Sequence, residues 1–192
     1  MHALIMAGGR ASRLSMGEKA LTRIADKPLL LYVIDAVTIA GLDPVVVTSP
    51  KTPFTTNFCR ACGIDWLCAS GAGYVEDIRE AVLILEIEGP VVTICADLPG
   101  ISAEHITSLI DYYHSKGCEA CSVWVPFDAK ESVWSSFEGI PEVPCIPVGL
   151  NIIRGDLIEN EQKEEKLIID DPLLTLNINT QKDLINAENL LL

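Results

Sequence analysis

From Ala7 to Lys19 the chain reads Ala-Gly-Gly-Arg-Ala-Ser-Arg-Leu-Ser-Met-Gly-Glu-Lys, and these residue types suit one chemistry, the holding of phosphate. Gly8 and Gly9 carry no side chain, so backbone N–H groups can approach an anion closely. Arg10, Arg13 and Lys19 supply the charge, of which Arg13 can grip phosphate bidentately and Lys19 can act as a mobile point charge. Residues 1–27 hold five basic side chains against two acidic ones, inside a chain of net charge −13, so positive charge is gathered where an anion would sit. No Gly-Lys-Ser/Thr follows as in a P-loop. The third glycine and the acidic residue of a dinucleotide fingerprint are also missing.

Asp97 is the second chemical element. It follows the apolar run Val91 to Cys95, where a carboxylate is costly unless it has a partner. Mg2+ fits, because it takes one or two carboxylates, some waters and the oxygens of a nucleotide. The other reading makes Asp97 an N-terminal charge for a helix beginning near Ser102. The three histidines offer little: His105 and His114 are expected on an exposed helix face, no general base is drawn from them, and no Ser-His-Asp arrangement is indicated.

Seven cysteines without a secretion signal imply reduced thiols. Cys59-x-x-Cys62 and Cys118-x-x-Cys121 have the local spacing of zinc ligands, but 55 residues lie between the pairs where a zinc ribbon wants roughly 15 to 20. Small buried hydrophobes account better for most of these thiols.

These groups must be held by a scaffold, and strand-like and helix-like segments alternate along the chain. Ala3 to Met6, Val45 to Thr48, Asp65 to Cys68, Val91 to Cys95 and Ala120 to Val125 read as strands. Pro28 to Ala40, Phe54 to Cys62, Tyr74 to Leu85, Ser102 to about Tyr113 and a segment after Thr180 read as helices. Continuous apolar strands between helices predict an α/β fold, a doubly wound and mainly parallel sheet with helices on both faces. Ligands in such sheets bind beyond the carboxyl ends of the strands. The loop after Met6, Thr48-Ser49-Pro, Ser70-Gly-Ala-Gly and Asp97 all fall at such ends.

The length suits one domain over residues 1–192. Residues 126–148 break the rhythm with four prolines between Trp124 and Trp134 and beyond, and are expected to form an irregular excursion or β-ribbon over the site. Asp156 to Asp171, with seven acidic and two basic residues, reads as a solvated helix or loop. A pI near 4.5 argues against nucleic-acid binding, and no apolar stretch approaches the roughly 20 residues of a membrane span. The expected compartment is the cytoplasm.

Leu4-Ile-Met-Ala-Gly-Gly-Arg-Ala-Ser-Arg-Leu with Glu18-Lys19, then Cys95-Ala-Asp97-Leu-Pro, then Asn177-Ile-Asn179-Thr180, resembles the nucleotidyltransferases of the molybdenum-cofactor guanylyltransferase type. Their fold is nucleotide-diphospho-sugar transferase-like, or Rossmann-like. Thr48-Ser-Pro-Lys-Thr-Pro53 and Ser70-Gly-Ala-Gly-Tyr-Val-Glu-Asp77 are similar to the archaeal-type GTP:adenosylcobinamide-phosphate guanylyltransferases of cobamide biosynthesis. The resemblance implies transfer of GMP from GTP to adenosylcobinamide phosphate with Mg2+.

Carried over by position, it implies a nucleotide site of Ala7, Gly8, Gly9, Arg10, Ser12, Arg13, Lys19, Thr48, Ser49, Ser70, Gly71, Gly73, Tyr74 and Asp97. Arg13, Lys19 and Asp97 would be catalytic, Asp97 and Asn179 would hold the metal, and Gly149 and Asn151 would approach the acceptor, although a turn before a strand explains that pair nearly as well. Ala11 stands where the family carries glycine and Ala20 where it carries proline. The same chemistry on molybdopterin or with CTP is the alternative within the fold, and a nucleotide-binding regulatory module is the alternative outside it. A homodimer is compatible with the sequence.

Overall fold

The computed structural model describes residues 1–9, 17–126, 138–140, 143–176, 178 and 181–191. Strand β1 (His2–Met6) is followed by the two-residue strands β2 (Arg23–Ile24) and β3 (Lys27–Pro28), which pair antiparallel. Then come α1 (Leu29–Ile39), β4 (Asp43–Thr48), α2 (Pro53–Cys62), β5 (Trp66–Cys68) and α3 (Tyr74–Ile84). Next are β6 (Pro90–Cys95), α4 (Ala103–Lys116), β7 (Ala120–Pro126), β8 (Glu138–Ile140), β9 (Val143–Arg154), β10 (Glu164–Ile168) and α5 (Gln181–Leu191).

The main sheet has the order β10-β7-β9-β6-β1-β4-β5, with β8 pairing β9. Strands β5, β4, β1 and β6 are mutually parallel, and β9 runs antiparallel between β6 and β7. This is the mainly parallel α/β sheet that the alternation implies. The connection leaving β1 runs toward β4 on one side and the connection leaving β6 runs toward β7 on the other, so the switch point lies between β1 and β6.

Burial on both faces explains the uninterrupted apolar strands. Ala3 and Ile5 pack with Leu30, Val33 and Val37 of α1 and with Ile106 and Leu109 of α4, whereas Leu4, Val45, Val47 and Val91 pack with Ile78, Ala81 and Val82 of α3. In α1 the buried residues Leu29, Leu30, Val33, Ala36 and Val37 fall at helical spacing on one face. Pro28, expected inside the first turn of α1, sits one position earlier as its N-cap, where its missing N–H is harmless.

Two segments differ from expectation. The acidic stretch after Asp156 is not wholly helix or loop, because Glu164–Ile168 forms β10, paired parallel with β7. Charged side chains, here Glu164, Glu165 and Lys166, are how a sheet edge avoids further pairing, so the composition of β10 hid its conformation. The excursion does form a ribbon, through β8 and the amino-terminal part of β9. The rest of β9, including Gly149 and Asn151, is a sheet strand and not a turn. Trp134 lies outside the described residues.

Candidate active site

The parallel ladder runs one residue beyond the strands: Ala7 N donates to Val47 O at 2.8 Å, and Ala96 N donates to Met6 O at 3.1 Å. Beyond these bonds the chain opens at Gly8 and at Asp97, on either side of the switch point. There a cavity of about 610 Å³ is bounded by Met6 to Gly9, Lys19, Ala20, Lys51, Gly71, Gly73, Tyr74, Asp77 and Cys95 to Asp97. That is ample for a nucleotide.

Lys19 opens a short 3-10 turn, Lys19–Leu21, and its ammonium is ion-paired with the Asp97 carboxylate. Both side chains are largely enclosed, at 18% and 22% exposed. The preceding residue fixes this position. Glu18 is buried, and its carboxylate accepts from Phe54 N at 2.8 Å, Thr55 N at 2.6 Å and Thr55 Oγ1 at 2.5 Å. It thereby satisfies first-turn donors of α2 and meets the positive end of that helix.

A second group of hydrogen bonds shapes the far wall. Ser49 Oγ donates to Gly8 O at 2.8 Å and accepts from Lys51 N at 3.2 Å. Thr48 Oγ1 donates to Leu67 O at 3.1 Å and contacts Thr56 Oγ1 at 2.9 Å. Thr48 and Ser49 are therefore buried beneath the cavity, holding its wall and not lining it. Lys51 Nζ donates to Gly71 O, and Gly71 N donates to Asp77 Oδ1 at 2.9 Å. Gly71 adopts φ +74°, and a Cβ there would lie 3.2 Å from Ser49 Cβ, so this wall requires glycine. Ser70 is exposed outside the cavity, its N–H bound to Glu80 Oε2 at 2.8 Å, a contact that lowers the Glu80 pKa.

Tyr74 exposes part of its ring, but its hydroxyl end is packed near Thr93 and Cys95. Burial pushes the Tyr74 hydroxyl far above its usual range, with Cys95 adding to the effect. Burial likewise raises the Cys95 thiol to about 12, with the Asp97 carboxylate as the next cause. Both groups are neutral at physiological pH, so neither serves as a base or nucleophile.

Gly149 and Asn151 lie on β9 beside β6. Gly149 faces Cys95 at the cavity's edge, with φ +87° and room for no Cβ, which would lie 2.7 Å from Cys95 Sγ. Asn151 Nδ2 donates to Thr93 Oγ1 at 3.2 Å and lines a second cavity of about 380 Å³ that shares Tyr74 with the first.

Arg10, Ser12, Arg13 and Asn179 lie outside the described residues, as does Ala11. Of the remaining expected nucleotide residues, Ala7, Gly8, Gly9, Lys19, Gly71, Gly73, Tyr74 and Asp97 share one cavity, and Thr48, Ser49 and Ser70 stand outside its lining. Lys51 and Asp77 line it without having been singled out, although Lys51 follows the end of β4 closely enough for its position to have nominated it.

The structure corrects the reading of His105. Its side chain is only 12% exposed, and Ser102, His105 and Asp171 do come together. Ser102 N donates to His105 Nδ1 at 3.1 Å, so the ring proton resides on Nε2 and points to Asp171 Oδ2 at 3.0 Å. Ser102 Oγ accepts from His105 N, completing a capping box at the start of α4, outside the cavity. The arrangement ties a helix to the chain near Asp171 and activates no hydroxyl.

Among the described residues no three His, Cys, Asp or Glu side chains form a metal cluster, the two cysteine pairs included. A divalent ion held by Asp97 and nucleotide oxygens needs no such cluster, and a carboxylate opening into a cavity is the hard oxygen donor it requires. No described helix is long and apolar enough to cross a membrane.

A profile of the MobA-like NTP transferase domain matches residues 3–147. The chain belongs to the MobA-like NTP transferase family. It is a nucleotidyltransferase, built on the Rossmann-like sheet described above. The adenosylcobinamide-phosphate guanylyltransferase of Methanocaldococcus jannaschii is 31% identical over 202 aligned positions, covering 100% of this chain and 97% of that one. Two solved structures share the fold of this MobA-like transferase at low identity. CMP:2-keto-3-deoxy-manno-octonic acid synthetase complexed with CTP has a TM-score of 0.73 and 15% identity, covering 100% of this chain and 98% of that one. A Bacillus anthracis protein described as a glucose-1-phosphate thymidylyltransferase has a TM-score of 0.74 and 12% identity, covering 99% and 94%.

Proposed function

We propose that the protein transfers GMP from GTP to adenosylcobinamide phosphate, yielding adenosylcobinamide-GDP and pyrophosphate. The observation that carries this reading is the 31% identity, over the full chain, to the M. jannaschii enzyme, joined to a cavity that sets Lys19 against Asp97 at the switch point.

A terminal phosphate oxygen of the acceptor attacks the α-phosphorus, a new P–O bond forms, and the bond to the β-phosphate oxygen breaks as pyrophosphate leaves. The attacking oxygen is already anionic, so no general base is required. Catalysis reduces to positioning and charge neutralisation, which suits a site without a cavity histidine. Lys19 neutralises charge developing between the α-phosphate and the departing pyrophosphate, and Arg13 grips the β- and γ-phosphates. Asp97, with Asn179, would hold Mg2+, which supplies Lewis-acid charge to the phosphate oxygens. Gly149, at the edge next to Cys95, leaves the acceptor phosphate a side-chain-free approach. The whole reaction is assigned to one domain over residues 1–192.

The test is pyrophosphate release with each of GTP, ATP, CTP and UTP, with and without adenosylcobinamide phosphate and Mg2+. Release that requires the acceptor and favours GTP supports the reading. Nucleotide binding without release sinks it and leaves a binding module, whereas a preference for CTP reassigns the nucleotide.

A further inference from the structure

Asp77 is only 6% exposed, yet its carboxylate lies on the cavity wall and not in the core. Its Oδ1 accepts from Gly71 N at 2.9 Å, while no donor among the described residues serves Oδ2. That second oxygen faces Gly8, where a Cβ would lie 3.3 Å away. Oδ2 opens on the cavity, since among the described residues Thr22 Oγ1 alone is a buried side-chain polar atom without a partner, so a ligand that displaces water there must bring N–H or O–H groups to it.

Its place in the sheet says which part of a ligand that is. Lys19 and Asp97 meet beside the ends of β1 and β6, whereas Gly71 and Lys51 follow the ends of β5 and β4, on the opposite side of β1. At about 4.8 Å per strand, the two sides stand roughly 10 Å apart, the separation of a triphosphate from its base. Phosphate oxygens are repelled by Asp77, so the base belongs at this end. Adenine and cytosine present a ring-nitrogen acceptor at the middle of their pairing edge, which a carboxylate repels. Uracil presents one N–H between two carbonyls. Guanine alone offers two adjacent donors, N1–H and the 2-amino group, matched to one carboxylate. Lys51, on the other side of Gly71, carries donors of the kind the 6-carbonyl needs.

We propose that Asp77 reads the guanine base, accepting from N1–H and the 2-amino group. This rests on the GTP reading above.

The test is equilibrium binding of GTP, ITP, XTP and 2′-deoxy-GTP, in Mg2+, to the wild-type protein and to Asp77→Asn. ITP lacks the 2-amino group, and the wild type is expected to hold GTP about 10- to 100-fold more tightly than ITP, the range for a hydrogen bond to a charged group. Asp77→Asn keeps an acceptor for Gly71 N and gains a donor, which suits the 2-carbonyl of xanthine. It is expected to lose GTP affinity by a similar factor, to hold GTP and ITP alike, and to prefer XTP. Equal wild-type affinity for GTP and ITP overturns the inference, as does weakening of every ligand by one factor in Asp77→Asn, the mark of a mere support for the Gly71 turn. Loss only of a GTP preference over 2′-deoxy-GTP overturns it too, by assigning Asp77 to the ribose. A wild type that binds none of the four overturns the GTP reading itself. The wild-type arm decides the matter even where the variant fails to fold.

Discussion

Lys19 and Asp97 are each other's counter-ion across the switch point between β1 and β6. The pair keeps two enclosed charges balanced in the absence of ligand, and each partner has a substrate-side role waiting. Phosphate takes the ammonium, and the metal takes the carboxylate.

Replacing Lys19 by alanine removes the cation meant for the departing pyrophosphate. By analogy with the loss of one stabilising donor, kcat is expected to fall roughly 100- to 1000-fold while GTP affinity changes at most about tenfold. Single-turnover rates beside equilibrium binding separate the two. Normal turnover would show that Lys19 does not serve the transition state.

Glu18 reaches the site through Lys19. Glu18→Ala takes three hydrogen bonds from the start of α2, including two backbone donors, and is expected to cost about 1–3 kcal/mol in urea unfolding. Glu18→Gln should retain part of that stability. Because the turn that carries Lys19 loses its anchor, kcat should fall in both variants with little change in the KM for GTP. An unchanged unfolding midpoint would show the anchor to be dispensable.

Gly149→Ala combines a left-handed φ with a Cβ pressed on Cys95 Sγ, and should cost about 1–3 kcal/mol. Cys95→Ala in the same chain should recover part of the loss by removing the thiol but not the strain in φ. Full recovery, measured by chemical denaturation, would place the entire cost in the clash.

Three buried thiols carry raised pKa values: Cys95 and Cys121 at about 12, and Cys59 at about 11, burial being the largest cause in each. Below their ordinary value of 9.0 these thiols are protonated in both states, and their contribution to stability is constant. Above it the unfolded chain releases protons that the folded chain keeps, so stability is lost from about pH 9 up to 11 or 12. The urea midpoint should be level from pH 7 to 8 and decline above about pH 9. A midpoint holding steady to pH 11 would contradict these shifts.

The parallel half of the sheet was legible because β1, β4 and β6 are covered on both faces, which forces unbroken apolar runs. The antiparallel β9 was not, since Pro144, Pro147 and Gly149 read as turn residues. The prolines sit in the part of β9 that pairs with β8 and, beyond a shift of register near Ser122 and Trp124, with β7. In the site, Gly8, Gly9, Lys19 and Asp97 could be read from position at strand ends. Thr48 and Ser49 sit at such an end too, yet they turn inward to hold Gly8 and Leu67. Asp77 could not be read, because what brings a helical carboxylate to the cavity is the turn at Gly71, a matter of φ and one hydrogen bond.

The most direct test of the account follows the phosphorus. GTP labelled at the α-phosphate, incubated with the protein, Mg2+ and adenosylcobinamide phosphate, should place the label in a corrinoid product with the mass of adenosylcobinamide-GDP, with one unlabelled pyrophosphate released per label transferred. Label that stays in GTP, or that is released as free GMP with or without the acceptor, would contradict it.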